Sequence, residues 1–142
     1  MNREEIKQYL PHREPMLLLD DINLSEDGSA VAHYTVRGEE FFLQGHFPDF
    51  PVVPGVILCE MMAQSSFILM LGETAGKRTL YTGINNVKFK NPVHPGDTVT
   101  ITSSLVRVRK PFYFLKGEVR VGESLCMQGE FSVALVPEEM EK

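Results

Sequence analysis

Two residues of this chain have the types and the setting to do chemistry together: a histidine, His46, and a carboxylate, Glu60, 14 positions apart. Glu60 stands inside residues 56–71, the most apolar stretch of the sequence. An ionisable group there is either a core carboxylate satisfied by backbone or by Gln64, or a functional one. Burial raises a carboxyl pKa because the charged form loses its water, while the first turns of a helix pull the other way through their dipole. Gln64 lies four positions on, shares the helix face of Glu60 and is placed to orient the carboxyl. His46 lies in Gly45-His46-Phe47-Pro48-Asp49-Phe50-Pro51. A lone loop histidine usually just faces water. Here the prolines and Gly45 fix the backbone, and the flanking aromatics make an apolar wall. A stiff loop leading into a carboxyl-bearing helix can hold two groups across one pocket. Gly55 follows Pro54 at the helix start. Its N–H has no helical partner, and without a Cβ it admits a ligand closely. It either donates to a carbonyl oxygen that gains negative charge or simply starts the helix.

The elements that must position these groups follow from pattern and punctuation. Residues 2–10 read as a short helix, capped by Asn2 with Glu5 as reciprocal partner and stopped by Pro11. Residues 16–22 read as a buried strand, Glu26-Asp27-Gly28 as a turn and residues 30–36 as a strand. Pro54 opens a helix that runs to about Leu71 and stops at Gly72. It is apolar on nearly every face, so it should be buried all round. The C-terminal half alternates as strands: 80–90 with a possible bulge at Asn85-Asn86, 98–109 with a change of phase near Ser103-Ser104, 113–121 and 125–135. The expected class is α+β, with a twisted antiparallel sheet of about five or six strands wrapped around one long helix in a single domain, 1–142.

Composition bounds the rest. The chain has 142 residues, 43% of them hydrophobic, and a net charge of −5, which argues against nucleic acid as the main partner. Lys88, Lys90, Arg107, Arg109, Lys110 and Lys116 read as solvated strand faces or as a local patch for an acidic carrier. Cys59 and Cys126 lie far apart in apolar segments and read as reduced, buried thiols, with a catalytic Cys59 as a minor alternative. No pair of residues has metal-ligand spacing, so no metal is expected. His12 reads as structural or as lining an entrance; His33 and His94 read as surface. The start of the chain shows no secretory pattern and Glu60 and Gln64 interrupt the apolar stretch, so a soluble cytoplasmic protein without membrane insertion is expected.

Residues 45–64, GHFPDFPVVPGVILCEMMAQ, resemble the signature of the 3-hydroxyacyl-[acyl-carrier-protein] dehydratases of Z type. LPHREPMLLLDDI and YTGINNVKFKNPVHPGD resemble the family's N-terminal block and its central strand and turn. The resemblance implies a hot-dog fold and a homodimer with shared active sites, often assembled as a trimer of dimers. It implies acyl carrier protein as partner and no cofactor. It assigns His46 and Glu60 as the catalytic pair, taken from different subunits, and Gly55 to the thioester carbonyl, with Phe47, Pro54 and Gln64 as further substrate contacts. Glu60 favours the Z type over the isomerising A type, which usually has Asp there. Glu14 departs from the family, which more often has an aromatic or apolar residue at that position. A hydrolase of acyl thioesters, a dehydratase of a specialised pathway and a non-catalytic acyl-binding subunit are the rival readings.

Overall fold

The apolar stretch that carries Glu60 folds as the helix α2 (Gly55–Ser65). Its entry is pinned where the Val53 N–H donates to the Val93 carbonyl at 2.9 Å. The α-helix ends earlier than the expected Leu71, and Ser66–Glu73 continue as a tighter 3-10 helix interrupted at Met70. The Ser65 and Ser66 hydroxyls donate to the Met62 and Ala63 carbonyls at 2.7 Å each, taking acceptors from the helical ladder at the point of change. In this computed structural model the described residues are 1–44, 49–74 and 76–138.

Six antiparallel strands form one sheet in the order β1-β2-β4-β5-β6-β3. They are β1 (Asp21–Leu24), β2 (Ala30–Thr35), β3 (Lys77–Phe89), β4 (Thr98–Arg109), β5 (Phe112–Val121) and β6 (Ser124–Pro137). α2 packs across β2, β4, β5 and β6. The tightest approach is at Gly117 of β5, where an added Cβ would lie 2.7 Å from Met62 Sδ and 2.9 Å from the Thr102 carbonyl oxygen. Met61, Met62, Met70 and Met127 are fully buried in the core that results. Residues Gly55–Glu73 are long and apolar enough to cross a membrane by length and composition, and here about half of that stretch is buried within the protein. The helix is not buried on every face, as its composition led us to expect: Val56 is 74% exposed.

At the N-terminus the expected capping box closes around α1 (Arg3–Ile6), with the Glu5 N–H donating to Asn2 Oδ1 at 2.9 Å and the Asn2 N–H to Glu5 Oε1 at 3.0 Å. The expected strand at 16–22 is largely absent; only residues from Asp21 onward are strand. Leu17, Leu18 and Leu19 are buried, but side chains rather than a neighbouring strand satisfy much of their backbone. Arg3 donates to the Leu17 and Leu19 carbonyls at 2.7 and 2.8 Å, and the Leu18 N–H donates to Gln64 Oε1 at 2.9 Å. An apolar run with that many side-chain partners needs no ladder.

β3 is the last strand of the sheet and, among the described residues, pairs only with β6. It breaks register between Asn85 and Lys88, with Asn86 at φ 53°, where the Asn-Asn pair had pointed to a bulge. Leu80, Ile84 and Phe89 are exposed along it.

Candidate active site

Glu60 faces the N-terminal segment from the middle of α2. Its Oε2 lies 3.0 Å from Gln64 Nε2, which donates to it, and 3.5 Å from His12 Nε2. Gln64 is buried, and its amide also donates to the Met16 carbonyl at 2.7 Å. One side chain therefore fixes the carboxyl and ties α2 to the segment that carries His12. A cavity of roughly 100 Å³ opens on this group, lined by Leu10, His12, Glu60, Gln64, Phe67 and Tyr81 among others. The Tyr81 hydroxyl donates to the Cys59 carbonyl, which joins the edge strand β3 to the helix beside Glu60.

Opposing effects set the acidity of Glu60. Burial does push its pKa up, but the hydrogen bonds from His12 and Gln64, with the field of His12, outweigh that push and hold it below the ordinary glutamate value. Burial above all, with Cys59 and Glu60 nearby, pushes the Tyr81 phenol well above its usual range.

Gly55 opens elsewhere. With Val53, Val56, Phe89, Lys90 and Cys126 it lines a separate cleft of about 540 Å³. The Phe89 ring lies 2.7 Å from where a Cβ of Gly55 would stand, so packing gives a reason for glycine there besides ligand approach. Pro54 is the N-cap, and its carbonyl accepts from the Ile57 N–H at 2.9 Å. Within one chain, then, Glu60 and Gln64 meet, while Gly55 lines a different cavity. His46 and Phe47 lie outside the described residues.

Sequence reasoning gave His12 no part in this group, because its contact with Glu60 spans 48 positions and the segment around His12 has no period of its own. The remaining residues scatter. His33 Nδ1 is 2.7 Å from Asp21 Oδ1, and the His94 ring packs edge-on to Phe50. Glu14 is paired with Arg3 and Lys7 at 2.9 and 3.0 Å, which accounts for a charged residue there. The basic residues stand in several settings. Lys88 and Lys116 share a polar groove with Asp27, Glu118 and Glu130. Lys90 borders the Gly55 cleft, Lys110 pairs with Glu73 at 2.7 Å, and Arg107 stacks on Phe114. Both cysteines are free and buried. Among the described residues no three His, Cys, Asp or Glu side chains come together as metal ligands.

An antiparallel sheet packed on one apolar helix, with a carboxyl held on that helix beside an imidazole, defines the class: a hot-dog protein, matched over residues 10–130 by the family model of FabA-like domains. Solved structures agree on the fold. The dehydratase heterocomplex ApeI:P from Xenorhabdus doucetiae superposes with a TM-score of 0.79 at 22% identity, covering 96% of this chain and 93% of that one. The fluoroacetyl-CoA thioesterase FlK gives 0.70 at 20% identity, covering 86% and 93%. Sequence relatives narrow the class. The 3-hydroxyacyl-[acyl-carrier-protein] dehydratase FabZ of Clostridium perfringens is 39% identical over 137 residues, 95% of this chain and 99% of that protein. The protein of the same name from Natranaerobius thermophilus is 42% identical over 135 residues, 93% and 95%. The chain belongs to the FabZ family of 3-hydroxyacyl-[acyl-carrier-protein] dehydratases, which are hydro-lyases.

Proposed function

We propose that this protein converts (3R)-3-hydroxyacyl groups, carried as thioesters on acyl carrier protein, to trans-2-enoyl thioesters in the elongation cycle of fatty-acid synthesis in the cytoplasm. The observation that carries the reading is the Glu60 carboxyl, alone on an apolar helix and held by Gln64 and His12 at a small cavity, in a chain of this family. His46, as a neutral imidazole, takes the proton from C2. The electron pair moves into the thioester carbonyl, whose oxygen accepts from the Gly55 N–H. It returns to form the C2–C3 double bond as the C3–O bond breaks. The hydroxyl leaves as water with a proton from the Glu60 side. His46 ends with one proton more and the Glu60 side with one fewer, and exchange with solvent resets both. The thioester itself acidifies C2, so the reaction calls on no cofactor. Phe47 and Pro54 border the acyl thioester in this scheme.

Gly55 and Glu60 line different cavities of one chain, and β3 ends the sheet with exposed apolar side chains. Both features support a homodimer in which one subunit supplies His46 and Gly55 and the other Glu60. A trimer of such dimers is the larger assembly we assign to it.

Purified His46→Ala and Glu60→Gln, each shown to be folded, should lose dehydration of a 3-hydroxyacyl carrier substrate by about 100-fold or more. Near-normal turnover in either overturns its role. Subunits of the two variants, mixed and reassembled, should regain activity, and no regain overturns the shared site. Free thiol released from saturated thioesters, without enoyl product, would replace the dehydratase reading with a hydrolase.

A further inference from the structure

Taking Glu60 as the catalytic carboxylate, we propose that His12 is a positioning residue of the reaction: the His12–Glu60 pair, rather than the carboxyl alone, holds the proton delivered to the departing hydroxyl. Three observations converge on it. First, His12 Nε2 and Gln64 Nε2 both address Oε2, which leaves Oε1 without a hydrogen bond or ion pair among the described residues and open to substrate in this scheme. Second, His12 Nδ1 is buried and has no hydrogen-bond partner among the described residues, so the polar contacts of the ring are directed at Glu60 alone. A buried ring nitrogen without a partner is costly, and such groups in native proteins call for a functional account. Third, the segment that carries His12 is locked in place. Gln64 holds Met16 and Leu18 to the helix, Arg3 holds Leu17 and Leu19, and the Arg13 guanidinium donates to the Leu10 and His12 carbonyls. The 3.5 Å separation is long for a hydrogen bond in the free protein, as catalytic contacts often are before substrate closes them.

The chemistry requires such a partner. The hydrogen bonds to Glu60 favour its charged form, and a carboxylate on its own has no proton to give near neutral pH. A histidine is the side chain whose ordinary titration range reaches neutrality. One proton shared by the pair is available to the hydroxyl through Oε1. When it leaves with the hydroxyl as water, the pair is left as neutral imidazole and carboxylate. Among the described residues, the other ionisable group lining the cavity is Tyr81 from β3, whose hydroxyl donates to the Cys59 carbonyl on α2; burial pushes the Tyr81 phenol and the Cys59 thiol above their usual ranges. Thr79, Ser66, Phe67 and Val133 line the cavity without charge.

The test is the pH dependence of kcat on the 3-hydroxyacyl carrier substrate, for the wild type, His12→Gln and His12→Phe. Glutamine keeps a donor but cannot store a proton; phenylalanine fills the space. In both variants the alkaline limb of the profile should move to lower pH, because Glu60 must then hold the proton alone. At pH 8 kcat should fall about tenfold or more, with KM within about twofold. A limb that stays in place, with a loss equal at every pH, overturns the proposal. The double variant His12→Gln/Glu60→Gln gives a second reading, independent of any one variant's stability. It should be no slower than Glu60→Gln, since His12 acts only through Glu60; effects that multiply overturn the proposal. If Glu60→Gln itself keeps its activity, the catalytic carboxylate is misassigned and this inference falls with it. If Glu60→Gln is inactive and the His12 profiles do not move, this inference alone fails.

Discussion

Gln64 makes three hydrogen bonds with one amide, to Glu60, to the Met16 carbonyl and from the Leu18 N–H. Gln64→Leu keeps the bulk and removes all three, leaving the buried Leu18 N–H and the partly buried Met16 carbonyl without their partner. Loss of a buried partner costs about 1–3 kcal/mol, so denaturant unfolding should show a drop of about that size. Turnover should fall as well, because Glu60 loses the donor that aims it; unchanged stability would mean the freed groups find other partners. The i, i+4 relation of Glu60 and Gln64 is legible in the sequence, since helical geometry alone puts them on one face. The contacts with His12, Met16 and Leu18 are not. They join segments more than 40 positions apart through a stretch with no period of its own, and only the folded backbone decides which carbonyl meets which side chain.

The sheet and the helix were legible in outline, and the places where the reading failed share a cause. Residues 17–19 are apolar and buried, which alternation and composition detect, but Arg3 and Gln64 satisfy much of their backbone and no strand pairs them. The end of α2 was read from Gly72, while the serine hydroxyls at Ser65 and Ser66 tighten the chain a turn and a half earlier. Local side-chain competition for backbone groups leaves hydrophobic periodicity unchanged, so periodicity cannot report it. Two glycines separate packing from approach to the site. At Gly117 an added methyl would meet buried Met62 and the Thr102 backbone, and Gly117→Ala should cost about 1–3 kcal/mol by overpacking. At Gly55 the clash is with the far end of the half-exposed Phe89 ring, which can turn away. Gly55→Ala should therefore keep its stability within about 1 kcal/mol, so any loss of turnover in it reports on access to the helix start. Chemical denaturation of the two variants side by side checks the contrast.

At the scale of the molecule, stability should be acid-sensitive in a definite direction. Glu14 is held down to about 2 by Arg3 first and then its own backbone N–H and Lys7, and Asp27 to about 2 by Ser25 and Ser29. Glu73, held by Lys110 and Tyr113, lies below its ordinary value. For Glu60 and Glu40, burial pushes upward but hydrogen bonds prevail, and both lie below theirs. Each of these carboxyls binds its proton more readily in the unfolded chain. Their contribution is complete above the ordinary carboxylate range and is lost as pH falls through that range toward about 2. Melting temperature should hold from neutral pH to about 5 and then decline steadily; a flat profile down to pH 3 would contradict this. The core has a further consequence, in redox terms. Met61, Met62, Met70 and Met127 are sealed from solvent, whereas Met16 is 39% exposed and offers its carbonyl to Gln64. Among the described methionines, peroxide would therefore meet Met16 first, and each core thioether would become a sulfoxide only when the sheet parts from α2. The order in which the methionines oxidise is thus a record of which part of the protein opens, and how often.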